Sequence, residues 1–212
     1  MFSAPSSLKS KEEEPAPSSL RSKEEVIKNF ILSPLFEAHQ IVKTEGRITV
    51  DTLENKISSK IVYNVKYKSS ISELYKKHFI AIILKPEEHY DKDTIVEPDI
   101  LFIVFGKCSM WIEAKRFYQD DSVSKYCGKK GLGRFLSGYY SRQDDDGGMI
   151  AYIQRGCISD IQSEIMERVK IMDCIELTEN IGINASFLSV HKRITTGNIK
   201  MYHLFFDFVN LD

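Results

Sequence analysis

Residues 97–115, Glu-Pro-Asp-Ile-Leu-Phe-Ile-Val-Phe-Gly-Lys-Cys-Ser-Met-Trp-Ile-Glu-Ala-Lys, read as two apolar strands joined by a short polar turn, with Asp99, Glu113 and Lys115 set on them. Ionised groups on apolar strands cost on the order of several kcal/mol unless a partner or a metal compensates. Two acids and a lysine there imply a metal-dependent hydrolytic site. In a strand, residues two apart share a face, so Glu113 and Lys115 point the same way, together with Trp111 and Phe117. Asp99 joins them only in the right register. A three-residue turn at Gly106 to Cys108 sets Asp99 opposite Lys115, whereas a two-residue turn at Gly106-Lys107 sets it opposite Ala114 and facing away. The site therefore requires an odd loop or a bulge near Gly106.

Paired carboxylates suit Mg²⁺, a hard cation that takes one or two carboxylates and keeps several waters, with Mn²⁺ as the second choice. Asp99 and Glu113 are the expected side-chain ligands, and the carbonyl of Ala114 is a third oxygen. Lys115 would orient the attacking water or stabilise the transition state.

With these residues in place, Glu97-Pro98-Asp99 followed by Glu113-Ala114-Lys115 resembles the P-D…E-x-K signature of the restriction-endonuclease-like, PD-(D/E)xK, nuclease superfamily. The resemblance implies an α-β-β-β-α-β core with the site on its second and third strands, and Mg²⁺-dependent phosphodiester hydrolysis, usually of DNA. It covers roughly residues 30 to 155 as topology and 97 to 115 as motif. It also implies a glutamate on the first core helix, for which Glu37 is the candidate, with Glu45 behind it. A DNA endonuclease of restriction or anti-phage defence type is the expected function. The alternative is a catalytically idle nuclease-like domain serving as a nucleic-acid-binding or assembly subunit.

Arg116, Lys125, Lys129, Lys130, Arg134 and Arg142 follow the motif, interleaved with Tyr126, Phe135, Tyr139 and Tyr140. Cations beside a hydrolytic site neutralise phosphates and set the substrate's register, and tyrosines can pack on sugars or bases. The plainer reading is that most of the lysines are solvated and that Phe135 and Tyr139 belong to the core. Gly128-Lys-Lys-Gly-Leu-Gly-Arg134 lacks the order of a Walker A loop. Asp144 to Asp146 read as a solvated turn, and His191 and His203 as structural. The cysteines, Cys108, Cys127, Cys157 and Cys174, show no C-x-x-C pair and no zinc spacing to a histidine, which points to reduced thiols.

These residues need a scaffold, and 212 residues with 42% hydrophobic content can bury a full core as one domain. Residues 4–15 recur almost unchanged at 16–26, and the Pro/Ser/Glu/Lys-rich composition predicts a disordered tail over 1–21 before a single domain, 22–212. Helical spacing runs from Lys23 to Val42 with a break at Ser33-Pro34. Residues 60–67 alternate like a strand, and Phe79 to Leu84 read as a buried one. A helix from Leu132, a strand from Met149 to Gln154 and a helix opened by the capping box Ser159-Asp-Ile-Gln162 follow. Phe187 to Lys192 and Met201 to Phe208 then read as a closing β-hairpin. The fold class is therefore α/β, a mixed central sheet flanked by helices. The net charge of −1 excludes a globally basic, histone-like protein. No apolar leader and no run of roughly 20 apolar residues is present, so a cytoplasmic location without a membrane partner is expected. DNA is the expected partner, with a homodimer or a larger defence assembly as the quaternary expectation.

Overall fold

The middle strand of the sheet is also its most buried. In the computed structural model every residue of β6 (Asp146–Ile153) is buried, between the parallel neighbours β5 (Cys108–Phe117) and β9 (Asn198–Asp207). The structure describes residues 22–209 except 47, 90–94, 142, 184–185 and 194–196. The expected tail and Arg142 therefore lie outside the described residues.

The sheet is seven-stranded and mixed, in the order β1-β4-β5-β6-β9-β8-β7. It is flanked by helices on both faces. On one side β5 pairs antiparallel with β4 (Ile100–Val104), and β4 with the edge strand β1 (Ile80–Leu84). On the other, β9 pairs antiparallel with β8 (Phe187–Lys192), and β8 with β7 (Cys174–Thr178). A separate ribbon pairs β2 (Glu88–His89) with β3 (Ile95–Val96) between β1 and β4. Parallel neighbours require crossovers, and α5 (Ser122–Cys127) and α6 (Leu132–Leu136) supply the first, while α7 (Ile158–Lys170) opens the second.

Alternation at period two divides the core. Ile100, Phe102, Ile112, Ala114, Ile150 and Tyr152 face α1 (Lys23–Ile27), α2 (Ser33–Thr44) and α3 (Glu54–Lys68). Leu101, Trp111, Phe117, Met149, Ala151 and Ile153 face α5 to α7. Glu113 and Lys115, in phase with Trp111 and Phe117, therefore belong to the α5–α7 face.

Several expectations are corrected. Residues 60–67 are not a strand but the second half of α3: Ile57, Ile61, Val62 and Val65 are buried at helical spacing, a pattern that a window of eight residues truncates. The helix does not break at Ser33-Pro34, because α1 and α2 are joined by a π-helical stretch, Lys28–Leu32. The wider i→i+5 turns spare a chain in which Pro34 has no N–H to give. β1 is an edge strand rather than a buried one, with Ile83 41% exposed. Ser159 lies inside α7, whose N-cap is Cys157. Of the acids at 144–146, Asp145 is exposed in a bend as expected, but Asp144 and Asp146 are not solvated. Asp144 accepts from Ser109 Oγ at 2.7 Å and Trp111 Nε1 at 2.9 Å. Asp146 is buried and pairs with Lys23 at 2.5 Å.

His203 and His191 form a closed structural network. His191 Nδ1 lies 2.7 Å from the Met172 carbonyl, and Ser189 Oγ lies 2.7 Å from His191 Nε2 and 2.8 Å from His203 Nε2. Tyr126 Oη closes the chain at 3.0 Å from His203 Nδ1. One tautomer set satisfies every group with both rings neutral, in keeping with burial that lowers both pKa values.

Candidate active site

The β4–β5 turn decides whether the motif converges. Val104 pairs with Cys108 across a three-residue loop, Phe105-Gly106-Lys107, and Gly106 takes the positive φ of 70° that such a loop asks of one residue. The loop is odd, as the site requires, but it begins one residue earlier than Gly106 to Cys108. The register that pairs Ile100 with Ile112 continues to set Asp99 opposite Glu113, where Lys115 was expected. The two acids therefore face each other, and Lys115 flanks them.

Asp99 stands immediately before the first residue of β4. Its Oδ2 accepts the Ala114 N–H at 2.8 Å, replacing the backbone partner that β4 no longer supplies. The N–H and C=O of one strand residue point to the same edge, so the Ala114 carbonyl also faces the end of β4. Glu113 is 4% exposed. Its Oε1 receives Lys115 Nζ at 2.5 Å and lies 3.6 Å from Arg134 Nη1, while its buried Oε2 has no hydrogen-bond partner among the described residues. Burial, then the neighbouring Asp99 carboxylate, push the Glu113 carboxyl up to about 7, against the pull of Lys115 and Arg134. Burial likewise raises Asp99, opposed by the Ala114 N–H and by Lys115.

Arg134 reaches the site because of a glycine. A Cβ on Gly147 would stand 2.8 Å from a Phe135 ring carbon, so the bare backbone of β6 lets Phe135 seat against it and holds α6 over the sheet. Arg134, the adjacent residue, also donates to the Tyr140 hydroxyl, which in turn donates to the Glu97 carbonyl at 3.2 Å. Arg134 and Tyr140 thus tie Glu113 to the segment that carries Asp99.

Glu37 is not part of this cluster. Its carboxylate accepts from Ser70 N at 2.7 Å and Ser70 Oγ at 2.8 Å, at the turn after α3. The acid that meets Lys115 is Glu54, in the first turn of α3, with Oε1 4.0 Å from Lys115 Nζ and Oε2 accepting from Arg116 N at 3.0 Å. Burial raises its pKa, and Lys115 works in the opposite direction. Glu54 was missed because its helix was read as a strand; the spacing of Ile57, Ile61 and Val65 behind it is the signal that finds it. We expect Glu37→Ala to destabilise the fold by about 1–2 kcal/mol of lost hydrogen bonding, read as a lower thermal midpoint, with Asp99, Glu113 and Lys115 left in place. Glu54→Gln should keep the fold and slow catalysis about tenfold to a hundredfold, as the loss of a group supporting the site does, read in single-turnover kinetics.

Of the remaining expected cations, Arg116 donates from Nη1 to the Thr52 carbonyl at 2.7 Å and stacks on Tyr118 at 3.9 Å. Lys125 pairs with Asp121 at 2.9 Å. Lys129 and Lys130 are exposed in the turn before α6. Phe135 and Tyr140 are core residues.

No family model, no curated protein and no solved structure matches this chain. The site must therefore be judged on its own chemistry. Among the described residues no group of three or more His, Cys, Asp or Glu side chains is arranged to hold a metal ion. A Mg²⁺ ion asks for less, one or two carboxylates with water completing its shell. The facing pair Asp99 and Glu113, the partnerless Glu113 Oε2 and the Ala114 carbonyl fit that demand. No helix among the described residues is long and apolar enough to cross a membrane.

Proposed function

We propose that the protein is a Mg²⁺-dependent nuclease that hydrolyses phosphodiester bonds in DNA, of the PD-(D/E)xK kind and of restriction or anti-phage defence type. The observation that carries the reading is the buried Oε2 of Glu113, which has no hydrogen-bond partner among the described residues, on a side chain opposite Asp99 in register and held by Lys115. Two mutually repelling carboxylates in an apolar sheet raise each other's cost, and a divalent cation is the partner that offsets it. The order of elements supports the same reading: helices, then β1, β4 and β5, a helical crossover and the parallel strand β6, with one acid just before the second strand and the other on the third.

Asp99, Glu113 and the Ala114 carbonyl would hold Mg²⁺ or Mn²⁺. When bound, such an ion lowers the pKa of a coordinated water and offsets charge on the phosphate. Lys115 favours the ionised form of Glu113 against burial and presents its ammonium to the attacking water or the developing charge. Arg134, held by Tyr140, stands beside Glu113 where a substrate phosphate would arrive. Lys129 and Lys130 are free to meet a phosphate backbone further out.

The second reading, an idle domain that binds nucleic acid or assembles with partners, is favoured by one observation. Lys115 is already engaged with Glu113 at 2.5 Å, so the site is internally neutralised. Incubation with supercoiled, linear and single-stranded DNA and with RNA, in Mg²⁺ and in EDTA, separates the two. Cleavage abolished by EDTA and by Asp99→Ala supports the nuclease, and the preferred substrate gives its class. Binding without cleavage of any substrate supports the idle domain. Cleavage indifferent to both changes sinks the site assignment.

A further inference from the structure

The outer face of α3 is basic and aromatic. Ile57, Ile61, Val62 and Val65 bury its inner face, and Lys56, Lys60, Tyr63 and Tyr67 recur at three- and four-residue steps along the outside. From Asn55 to Ser72 the chain holds four lysines and no acid, within a protein of net charge −1. Tyr63 is 54% exposed and Tyr67 50%, and their ring centroids lie 5.0 Å apart. Tyr75, in α4 (Ser72–Lys76), extends the row, its ring 5.9 Å from that of Tyr67. Ammonium groups border the rings, Lys68 Nζ 5.9 Å from the centre of Tyr63 and Lys66 Nζ 5.3 Å from that of Tyr75. Lys68 is also paired with Glu45 at 2.8 Å, whereas Lys56 and Lys66 make no ion pair among the described residues. Exposed rings alternating with cations match a strand in which flat bases alternate with phosphates.

The row starts at the candidate site. Glu54, the first residue of α3, lies 4.0 Å from Lys115, and at a rise of about 1.5 Å per residue Tyr63 and Tyr67 follow about 14 Å and 20 Å further along the helix, a span of a few nucleotides. In a duplex both faces of each base are covered by its neighbours, so these rings can stack only on unpaired bases. The helix carries no Trp, Phe or Leu, the side chains by which a basic helix enters a lipid surface. We propose that the outer face of α3 is a track for single-stranded DNA, with bases stacked on Tyr63 and Tyr67 and phosphates met by Lys56 and Lys66, which delivers an unpaired stretch to the site at the start of the helix. That the bound strand is the substrate rests on the nuclease reading; the binding face itself does not.

The test uses the full chain in EDTA and reads the fluorescence anisotropy of a labelled oligothymidylate and of a duplex of equal length, with far-ultraviolet circular dichroism as the control for folding. The single strand should bind more tightly than the duplex. Tyr63→Ala combined with Tyr67→Ala should weaken the single-stranded complex about a hundredfold, roughly tenfold per lost ring, whereas Tyr63→Phe with Tyr67→Phe keeps both rings and should bind as the wild type does. Lys56→Gln with Lys66→Gln should flatten the dependence of log affinity on log salt by about 1.4, roughly 0.7 for each phosphate contact. Equal affinity for single strand and duplex, or an alanine variant that binds like the wild type, overturns the track. Attachment to phosphatidylserine vesicles without binding to the oligonucleotide overturns it too and gives the face to a lipid surface. The nuclease reading fails separately: tyrosine-dependent binding with no cleavage in Mg²⁺ supports the track on an idle domain, while Mg²⁺-dependent cleavage with tyrosine-indifferent binding overturns the track alone.

Discussion

Replacing Lys115 by methionine is expected to leave a folded protein whose cleavage rate falls by about three orders of magnitude, the scale of losing a preorganised charge at a reacting phosphate. The effect has two parts. The first is direct, the loss of the ammonium that meets the water or the developing charge. The second acts through Glu113, whose Oε1 is held by Lys115 at 2.5 Å. Without that ammonium the carboxyl, already near 7, rises further and is protonated at neutral pH, so metal affinity falls too. The rate measured at saturating Mg²⁺ should therefore recover partly as pH is raised from 7 to 9, and the wild-type rate should respond less over the same range. A methionine variant with the wild-type rate and pH profile would remove Lys115 from the mechanism.

Glu113→Gln should abolish activity and at the same time make the apo protein more stable. Burial and Asp99 raise the folded carboxyl from 4.5 to about 7, so the folded state holds its proton more tightly than the unfolded chain. Stability is then greatest below about pH 4.5 and declines as pH rises to about 7, because ionisation favours the unfolded state. At pH 8 the amide should add about 3 kcal/mol, following from the rise from 4.5 to about 7 at roughly 1.4 kcal/mol per pKa unit. The gain should vanish at pH 4.5. A thermal melt at both pH values, without metal, reads it directly. An equal or lower midpoint for the variant at pH 8 would mean that Lys115 and Arg134 fully compensate the buried charge.

How much of this was legible in the sequence depended on the range of the forces involved. The apolar run of β6, the alternation of β5 and the closing pair β8 and β9 are local patterns, and they lie where the periodicity places them. The face shared by Glu113 and Lys115 follows from spacing alone. The register of Asp99 does not, since it turns on whether the loop starts at Phe105 or Gly106, and a one-residue difference exchanges its partner from Lys115 to Glu113. Glu54 was hidden by the choice of window: residues 60–67 alternate well enough for a strand, and only the longer stretch from Ile57 to Val65 shows the helix that turns its first residue toward the site. Arg134 could be seen as a cation, but its place beside Glu113 rests on Phe135 seated against Gly147, a contact between distant segments. Asp144 and Asp146 differ from a solvated turn for a similar reason, because Trp111, Ser109 and Lys23 come to them only in the folded chain.

The most direct measurement of the central claim is calorimetric titration of Mn²⁺ into the apo protein at pH 7.5, with wild type and Asp99→Ala side by side. The account predicts a saturable site in the wild type, with proton release as Glu113 ionises, and its loss in Asp99→Ala while the fold persists. Binding of equal affinity in both proteins would contradict it and place the metal somewhere other than between Asp99 and Glu113.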